Sequence, residues 1–229
     1  MNFSESVKLC FRIVGAPYSN STVTSGMGNS RSSLQLQPED IEAIQEETGF
    51  NNNQIDRLYS RFSSLDKQDK GYLSREDFLR IPELAISPLG DRIVHAFFTE
   101  SRCGDDEDEV DSRDEGKVDF KAFVRVLAHF RPIDKSAEKN KLNTRMKKLQ
   151  FAFRMYDLDG DGKITKKELK TVLTLMVGSN ISEKQLDSIA ERTIMEATLD
   201  NDDLMSFEEF AKVLERTEVE KKMSIRFLN

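Results

Sequence analysis

Residues 157–168, DLDGDGKITKKE, constrain this chain more than any other segment. Asp157, Asp159 and Asp161 stand first, third and fifth. Gly162 stands sixth, where the chain must turn sharply and a left-handed backbone suits glycine. Lys163, seventh, offers its backbone carbonyl, which leaves its side chain unconstrained. Ile164, eighth, is apolar, as expected where two such loops join by a short strand contact. Thr165, ninth, can act through water, and Glu168, twelfth, is long enough to reach back with both oxygens. A hard cation that takes six to eight oxygens, calcium, is what this spacing serves. An acidic, glycine-containing surface turn would leave the other matching positions unexplained.

The loop is one of four. A segment at 66–77 follows a helical face of Ile55, Leu58, Phe62 and Leu65. A second, 111–122, lies between Leu89, Ile93, Ala96 and Phe97 on one side and Phe120, Phe123, Val124 and Leu127 on the other. The third is entered by Met146, Leu149, Phe153 and Tyr156 and left by Leu169, Val172, Leu173 and Met176. The fourth, 198–209, follows a helix opened by a capping pair, Ser182 and Gln185, and leads to Phe210, Val213 and Leu214. One helix–loop–helix hand cannot bury its own apolar face, so four hands make two pairs. Leu73 is expected to face Val118, and Ile164 to face Met205. The fold class is therefore all-α, with two EF-hand pairs in two lobes.

The loops differ in chemistry. The first has Gln68 third and Lys70 fifth, which places an ammonium where a metal would sit, and its twelfth residue, Asp77, is one methylene shorter than Glu. The second has Arg113 third and Ala122 twelfth, so its bidentate ligand is gone. Both keep Gly71 or Gly116 at the turn and read as structural hands without metal. The fourth offers Asp200, Asp202, the Leu204 carbonyl and Glu209, but opens on Thr198 and turns on Asp203 instead of glycine. Affinity follows the ligand charge count, so these losses weaken the loop's attraction for calcium relative to the third and leave its binding an open question of the sequence.

Composition narrows the partners. Net charge is −7, which argues against nucleic acid and fits cations or basic target helices. Fifteen Phe and eight Met suit both a packed core and an adaptable apolar groove. Cys10 and Cys103 are the only cysteines and form no disulfide framework or zinc spacing, which fits a reducing cytosolic setting. No apolar run approaches the roughly 18 residues needed to span a bilayer. Lys8 and Arg12 interrupt the semi-apolar stretch 7–16, so no signal peptide is read there.

Residues 1–37 are rich in Ser, Asn and Gly and are expected to be disordered. Within them, MGNSRS at 27–32 fits an N-myristoylation pattern that would acylate Gly28 if synthesis begins at Met27. The N-lobe is expected over 38–131, a basic linker over 132–148 and the C-lobe over 149–229. The acidic run 105–109 reads as a solvated insertion.

Several stretches carry a family resemblance: ETGFNNNQIDRLYSRFSSLDK (47–67), LSREDFLRIPELAISPLGDRI (73–93), LAHFRP (127–132), FAFRMYDLD (151–159) and the C-terminal VEKKMSIRFLN. From about Gly28 onward the chain resembles the calcineurin B homologous proteins. That resemblance implies two degenerate N-terminal hands, calcium in the two C-terminal ones and a myristoylated glycine, here Gly28. It also implies a non-enzymatic subunit that holds an amphipathic cytoplasmic helix of a plasma-membrane sodium/proton exchanger in an apolar groove. Such a subunit supports the exchanger's stability, surface delivery and pH regulation. Its location is cytoplasmic and peripheral at the inner face of the plasma membrane and endomembranes.

Phe97, Phe123, Leu127, Phe153, Leu173, Met176 and Phe210 are the groove candidates. Helix-in-groove docking is a common target mode of such hands. Two alternatives stand beside the exchanger reading: a regulatory subunit or inhibitor of a calcium-dependent phosphatase, pairing with a calcineurin catalytic chain, and a plain calcium buffer. Calcineurin B itself keeps four intact loops, against which Lys70 and Ala122 count. Catalysis is not expected. His95 and His129 are the only histidines, each among apolar neighbours, and no nucleophile–base pair or phosphate loop is visible.

Overall fold

Local capping chemistry sets where most of the helices begin. In this computed structural model, residues 36–85, 90–102, 116–133, 142–177, 181–198 and 203–223 are described. Helix α1 (Pro38–Thr48) opens on proline and closes on Gly49, whose left-handed backbone lets its N–H reach the Gln45 carbonyl. Helix α2 (Asn52–Leu65) opens on a reciprocal pair, Asn51 and Gln54, and buries Ile55, Leu58 and Phe62 on one face. Short helices α3 (Arg75–Leu79) and α4 (Pro82–Ala85) lead to α5 (Gly90–Arg102) and α6 (Phe120–Ala128), the latter capped by Asp119.

The C-lobe follows the same plan. Helix α7 (Arg145–Tyr156), strand β1 (Lys163–Thr165) and helix α8 (Lys166–Val177) form the third hand. Helix α9 (Glu183–Ala197), strand β2 (Leu204–Ser206) and helix α10 (Phe207–Val213) form the fourth, with α11 (Val219–Lys222) behind them. Ser182 and Gln185 cap α9 reciprocally, as the sequence predicts. The loops join as expected. Leu73 and Val118 exchange backbone hydrogen bonds of 2.8 and 3.0 Å, and β1 runs antiparallel to β2 with Ile164 opposite Met205. All four side chains are fully buried.

Phenylalanine builds the core of each lobe. In the N-lobe, Phe97 stacks on Phe123 at 5.7 Å, and Phe62 meets Phe120 and Phe123 edge-on. In the C-lobe, Phe153 meets Phe207 and Phe210 nearly at right angles. Phe97, Phe123, Leu127, Phe153, Leu173, Met176 and Phe210 are thus core residues in this conformation, each at most 7% exposed. Among the described residues, the large apolar side chains that do face solvent are Leu79, Met146, Leu175, Met195 and Val213.

The lobe boundary departs from the sequence reading. Thr144 caps α7 by accepting the Lys147 N–H, so the last residues of the expected linker 132–148 are helical. Lys148 is wholly buried, and its Nζ donates to the carbonyls of His129 at 2.5 Å and Arg131 at 2.7 Å, where α6 ends. A basic residue thus serves the junction as a cap, not as a solvated spacer. Phe130 packs edge-on against Phe151 across the same seam. Arg145 ties α7 to the C-terminal segment, donating to the carbonyls of Leu214, Glu215 and Thr217 and to the Glu220 carboxylate. Leu36, inside the stretch expected to be disordered, packs on the core. Residues 1–35, including Gly28, and the acidic run 105–109 lie outside the described residues. No helix among the described residues is long and apolar enough to cross a membrane.

Candidate metal centre

The third loop begins where α7 runs out of helical partners. The Asp157 N–H still bonds to the Phe153 carbonyl, but its backbone has turned extended. Its carboxylate then organises the loop from inside: Oδ1 accepts the Gly160 N–H at 2.8 Å and Oδ2 the Gly162 N–H at 3.0 Å. Gly162 has φ of 85°, which is why glycine stands sixth. Asp159 accepts the Asp161 N–H, and Asp161 accepts the Lys163 N–H at 2.8 Å. These short turns bring one carboxylate oxygen from each of Asp157, Asp159 and Asp161 within 4.8 Å of one another. Three like charges at that spacing repel, and a divalent cation relieves the repulsion.

Glu168 reaches back from the first turn of α8. Its Oε1 accepts the N–H groups of Leu158 at 2.7 Å and Asp159 at 3.2 Å, and its Oε2 accepts the Thr165 N–H and hydroxyl, each at 2.8 Å. Burial opposes its ionisation, but the bonds from Thr165, Leu158 and Asp159 outweigh burial and hold the carboxyl below the usual carboxylate range. Lys163 lies in β1 opposite Ser206, so its carbonyl stands at the seventh position of the loop. Four carboxylates, a carbonyl and a glycine-permitted turn make an all-oxygen donor set of the kind calcium takes.

The fourth loop copies part of this arrangement. Glu209 Oε2 accepts the Ser206 N–H at 2.9 Å and hydroxyl at 2.8 Å, the counterpart of Glu168 with Thr165. Leu204 lies in β2 opposite Thr165. Thr198 is buried and its hydroxyl donates to the Ile194 carbonyl at 3.0 Å, so its proton serves the end of α9. Asp203 takes φ of 57°, a left-handed conformation that aspartate tolerates at some strain. Asp200 and Asp202 lie outside the described residues.

The first loop has its own cation. Lys70 Nζ donates to Asp77 Oδ2 at 2.7 Å. The same carboxylate accepts the Ser74 N–H and hydroxyl and, through Oδ1, the Arg80 guanidinium. Asp66 Oδ2 accepts the Gly71 N–H at 2.7 Å, as Asp157 does with Gly162. The hydrogen bond to Asp77 raises the Lys70 pKa. Burial works against the Asp77 charge, yet the bonds from Lys70 and Ser74 keep its pKa low. Of the second loop, Gly116 with φ of 97° and Ala122 are described, while Asp111 and Arg113 lie outside the described residues.

Known proteins are similar to this chain in sequence. Residues 146–215 match the EF-hand domain pair family, which covers the third and fourth hands. The chain is 42% identical over 200 residues to the calcineurin B subunit of Naegleria gruberi, covering 87% of this chain and 99% of that protein. The chain belongs to the calcineurin B family. Two further members show the same span: the calcineurin B subunit of Candida glabrata, 37% identical over 82% of this chain and 94% of that protein, and the type 2 calcineurin B subunit of Dictyostelium discoideum, 38% identical over 80% and 87%. As a calcineurin B-like chain, this protein is a calcium-binding regulatory subunit in kind, and Asp157, Asp159 and Asp161 form a carboxylate group that could hold a metal ion.

The sequence locates the carboxylates because loop ligands are local. It does not reveal the contacts of Arg92 and Lys148, which bridge the lobes. The one signal for either is a basic residue at an otherwise apolar helical spacing.

Proposed function

We propose that this protein is the calcium-binding subunit of a calcineurin-type phosphatase, pairing with an amphipathic helix of the catalytic chain. The observation that carries the reading is similarity along nearly the whole length of proteins named as calcineurin B subunits. In this role the chain holds no reacting groups of its own. It presents an apolar surface whose availability depends on the charge state of the third loop. The groove candidates Phe153, Leu173, Met176 and Phe210 are covered in this conformation. A partner helix reaches them only when the surrounding C-lobe helices part, as hands of the sensor type do and buffers do not.

A second reading has a specific observation behind it. Lys70 replaces a metal in the first loop, a departure from a chain with four working loops. Together with the resemblance in 73–93 and 127–132, this supports a partner helix from a sodium/proton exchanger. On that reading Gly28 carries myristate when synthesis begins at Met27, and the protein sits at the inner face of the membrane. A single myristoyl chain holds a protein only marginally, so the partner helix supplies the second attachment.

The experiment is a competition. Full-length protein is offered a helical peptide from a calcineurin catalytic chain and one from an exchanger's juxtamembrane segment, in calcium and in chelator. Calcium-dependent capture of the phosphatase helix supports the first reading. Preference for the exchanger helix supports the second, and capture of neither, with no apolar-dye binding on calcium addition, leaves a buffer.

A further inference from the structure

Arg92 belongs to the N-lobe but does its bonding in the C-lobe. It projects from the first turn of α5, and its Nη2 donates to the carbonyls of Arg154 at 3.1 Å and Asp157 at 3.0 Å. Arg154 lies in the last turn of α7, whose final carbonyls have no partner within the helix. Asp157 is the first residue of the third loop, so a cation from the other lobe closes the helix that delivers the first ligand. This placement also favours the negative end of the helix dipole.

The charge of Arg92 has a second set of partners. The guanidinium is half-buried, and its Nε is buried without a hydrogen-bond partner among the described residues. Burial alone is unfavourable and lowers its pKa, while Asp157, Asp91 and Glu168 act in the opposite sense. Two of these three are donors to the calcium cage. Part of the attraction that offsets burying Arg92, with Asp91 supplying the rest, therefore comes from carboxylates whose charge a bound cation would neutralise. A cleft of about 240 Å³ runs along this contact, lined by Arg92, Ala96, Arg154, Asp157, Asp159 and Gly160 among others, so Arg92 and the third loop share one cavity wall.

We infer that Arg92 is a built-in counter-charge by which the N-lobe lowers the calcium affinity of the third loop while anchoring the helix that enters it. The inference rests on the reading of that loop as a calcium site. Whatever neutralises Asp157 and Glu168 weakens their hold on Arg92, and by linkage Arg92 opposes that neutralisation equally. The N-lobe, whose first loop carries Lys70 in place of a metal, thus has a direct effect on calcium binding in the other lobe. Arg92 is a positioning residue here, since it reaches the loop through the backbone carbonyl of Asp157.

The test is calorimetric titration of calcium into the full chain, with Arg92→Met and Arg92→Lys beside the wild type. Arg92→Met removes the charge and should tighten binding at the third loop by about three- to tenfold, the scale of one positive charge several ångströms from a divalent ion at a partly solvated site. Arg92→Lys keeps the charge and should restore an affinity close to wild type. A merely structural role would give the opposite sign, because loosening the end of α7 weakens the site. Hydrogen exchange in chelator reads the anchoring separately: amides at 155–158 should exchange faster in Arg92→Met. Unchanged or weaker calcium binding in a folded Arg92→Met, or equal tightening in Arg92→Lys, would overturn the inference. A wild-type chain that takes up no calcium would overturn both the inference and the calcium reading beneath it, a result distinguishable from the others.

Discussion

Lys70→Met tests whether the first loop is held together by its own ammonium. The substitution keeps most of the length and the apolar stem of the side chain and removes the charge together with its hydrogen-bond donors. Asp77 is then left with the Ser74 N–H at 2.9 Å, the Ser74 hydroxyl at 2.7 Å and Arg80 at 3.0 Å. Its side chain is 3% exposed against 19% for Lys70, so solvent cannot replace the lost donor at the carboxylate. A hydrogen bond to a charged group contributes about 1.5–3 kcal/mol, and breaking a fully buried pair costs more. Three remaining donors and the partial exposure of Lys70 keep the expected loss within about 1.5–3 kcal/mol. For a chain of this size that lowers Tm by about 3–12 °C. The assay is thermal unfolding at neutral pH in chelator. Lys70→Asp should be less stable than Lys70→Met in chelator, because it sets two acids against each other, and should recover when calcium is added. A Lys70→Met protein that melts with the wild type would refute the claim that the ammonium replaces a metal.

Three further outcomes follow from the geometry. Thr198→Asp should raise calcium affinity at the fourth loop by about tenfold by adding a carboxylate at its first position, and a titration in which the second binding event does not move would place the limit at Asp203. Burial lowers the Lys148 pKa to about 7, against the attraction of Glu220. The unfolded chain then binds more protons than the folded one between about pH 7 and the ordinary lysine value near 10.4, so stability should rise with pH across that window. Lys148→Met should lose that rise in urea midpoints because a thioether binds no proton, and should be less stable throughout because it cannot donate to His129 and Arg131 as the amine does. Gly90→Ala would set a Cβ 1.9 Å from the Leu84 carbonyl oxygen and should destabilise the N-lobe by about 1–3 kcal/mol or more, read by denaturant unfolding.

Legibility in the sequence followed the range of the interactions. The loop carboxylates, the capping pairs and the Leu73–Val118 and Ile164–Met205 contacts depend on residues at fixed short spacings or on the pairing of like hands. Asp203 was readable as a strained turn for the same reason, since position six of the loop demands that backbone. Apolar periodicity identified Phe123, Phe153 and Phe210 as inward-facing but does not distinguish a closed core from an open groove, and these are in the core. Arg92 and Lys148 escaped because their partners lie 65 and 19 residues away, and nothing in local pattern tells a buried basic cap from a solvated linker charge. The stretch 132–148 shows the consequence: it looks polar, yet its end is helical and docks under α6.

The most direct test of the central claim is a calcium titration of the full chain and of Glu168→Gln. Glu168 supplies the twelfth position of the third loop, and Gln keeps its shape while removing one charge from the donor set. The wild type should show a high-affinity event, with Kd of about 10⁻⁵ M or tighter, that vanishes in Glu168→Gln while the helical circular dichroism is retained. A Glu168→Gln protein that binds calcium as the wild type does would contradict that claim.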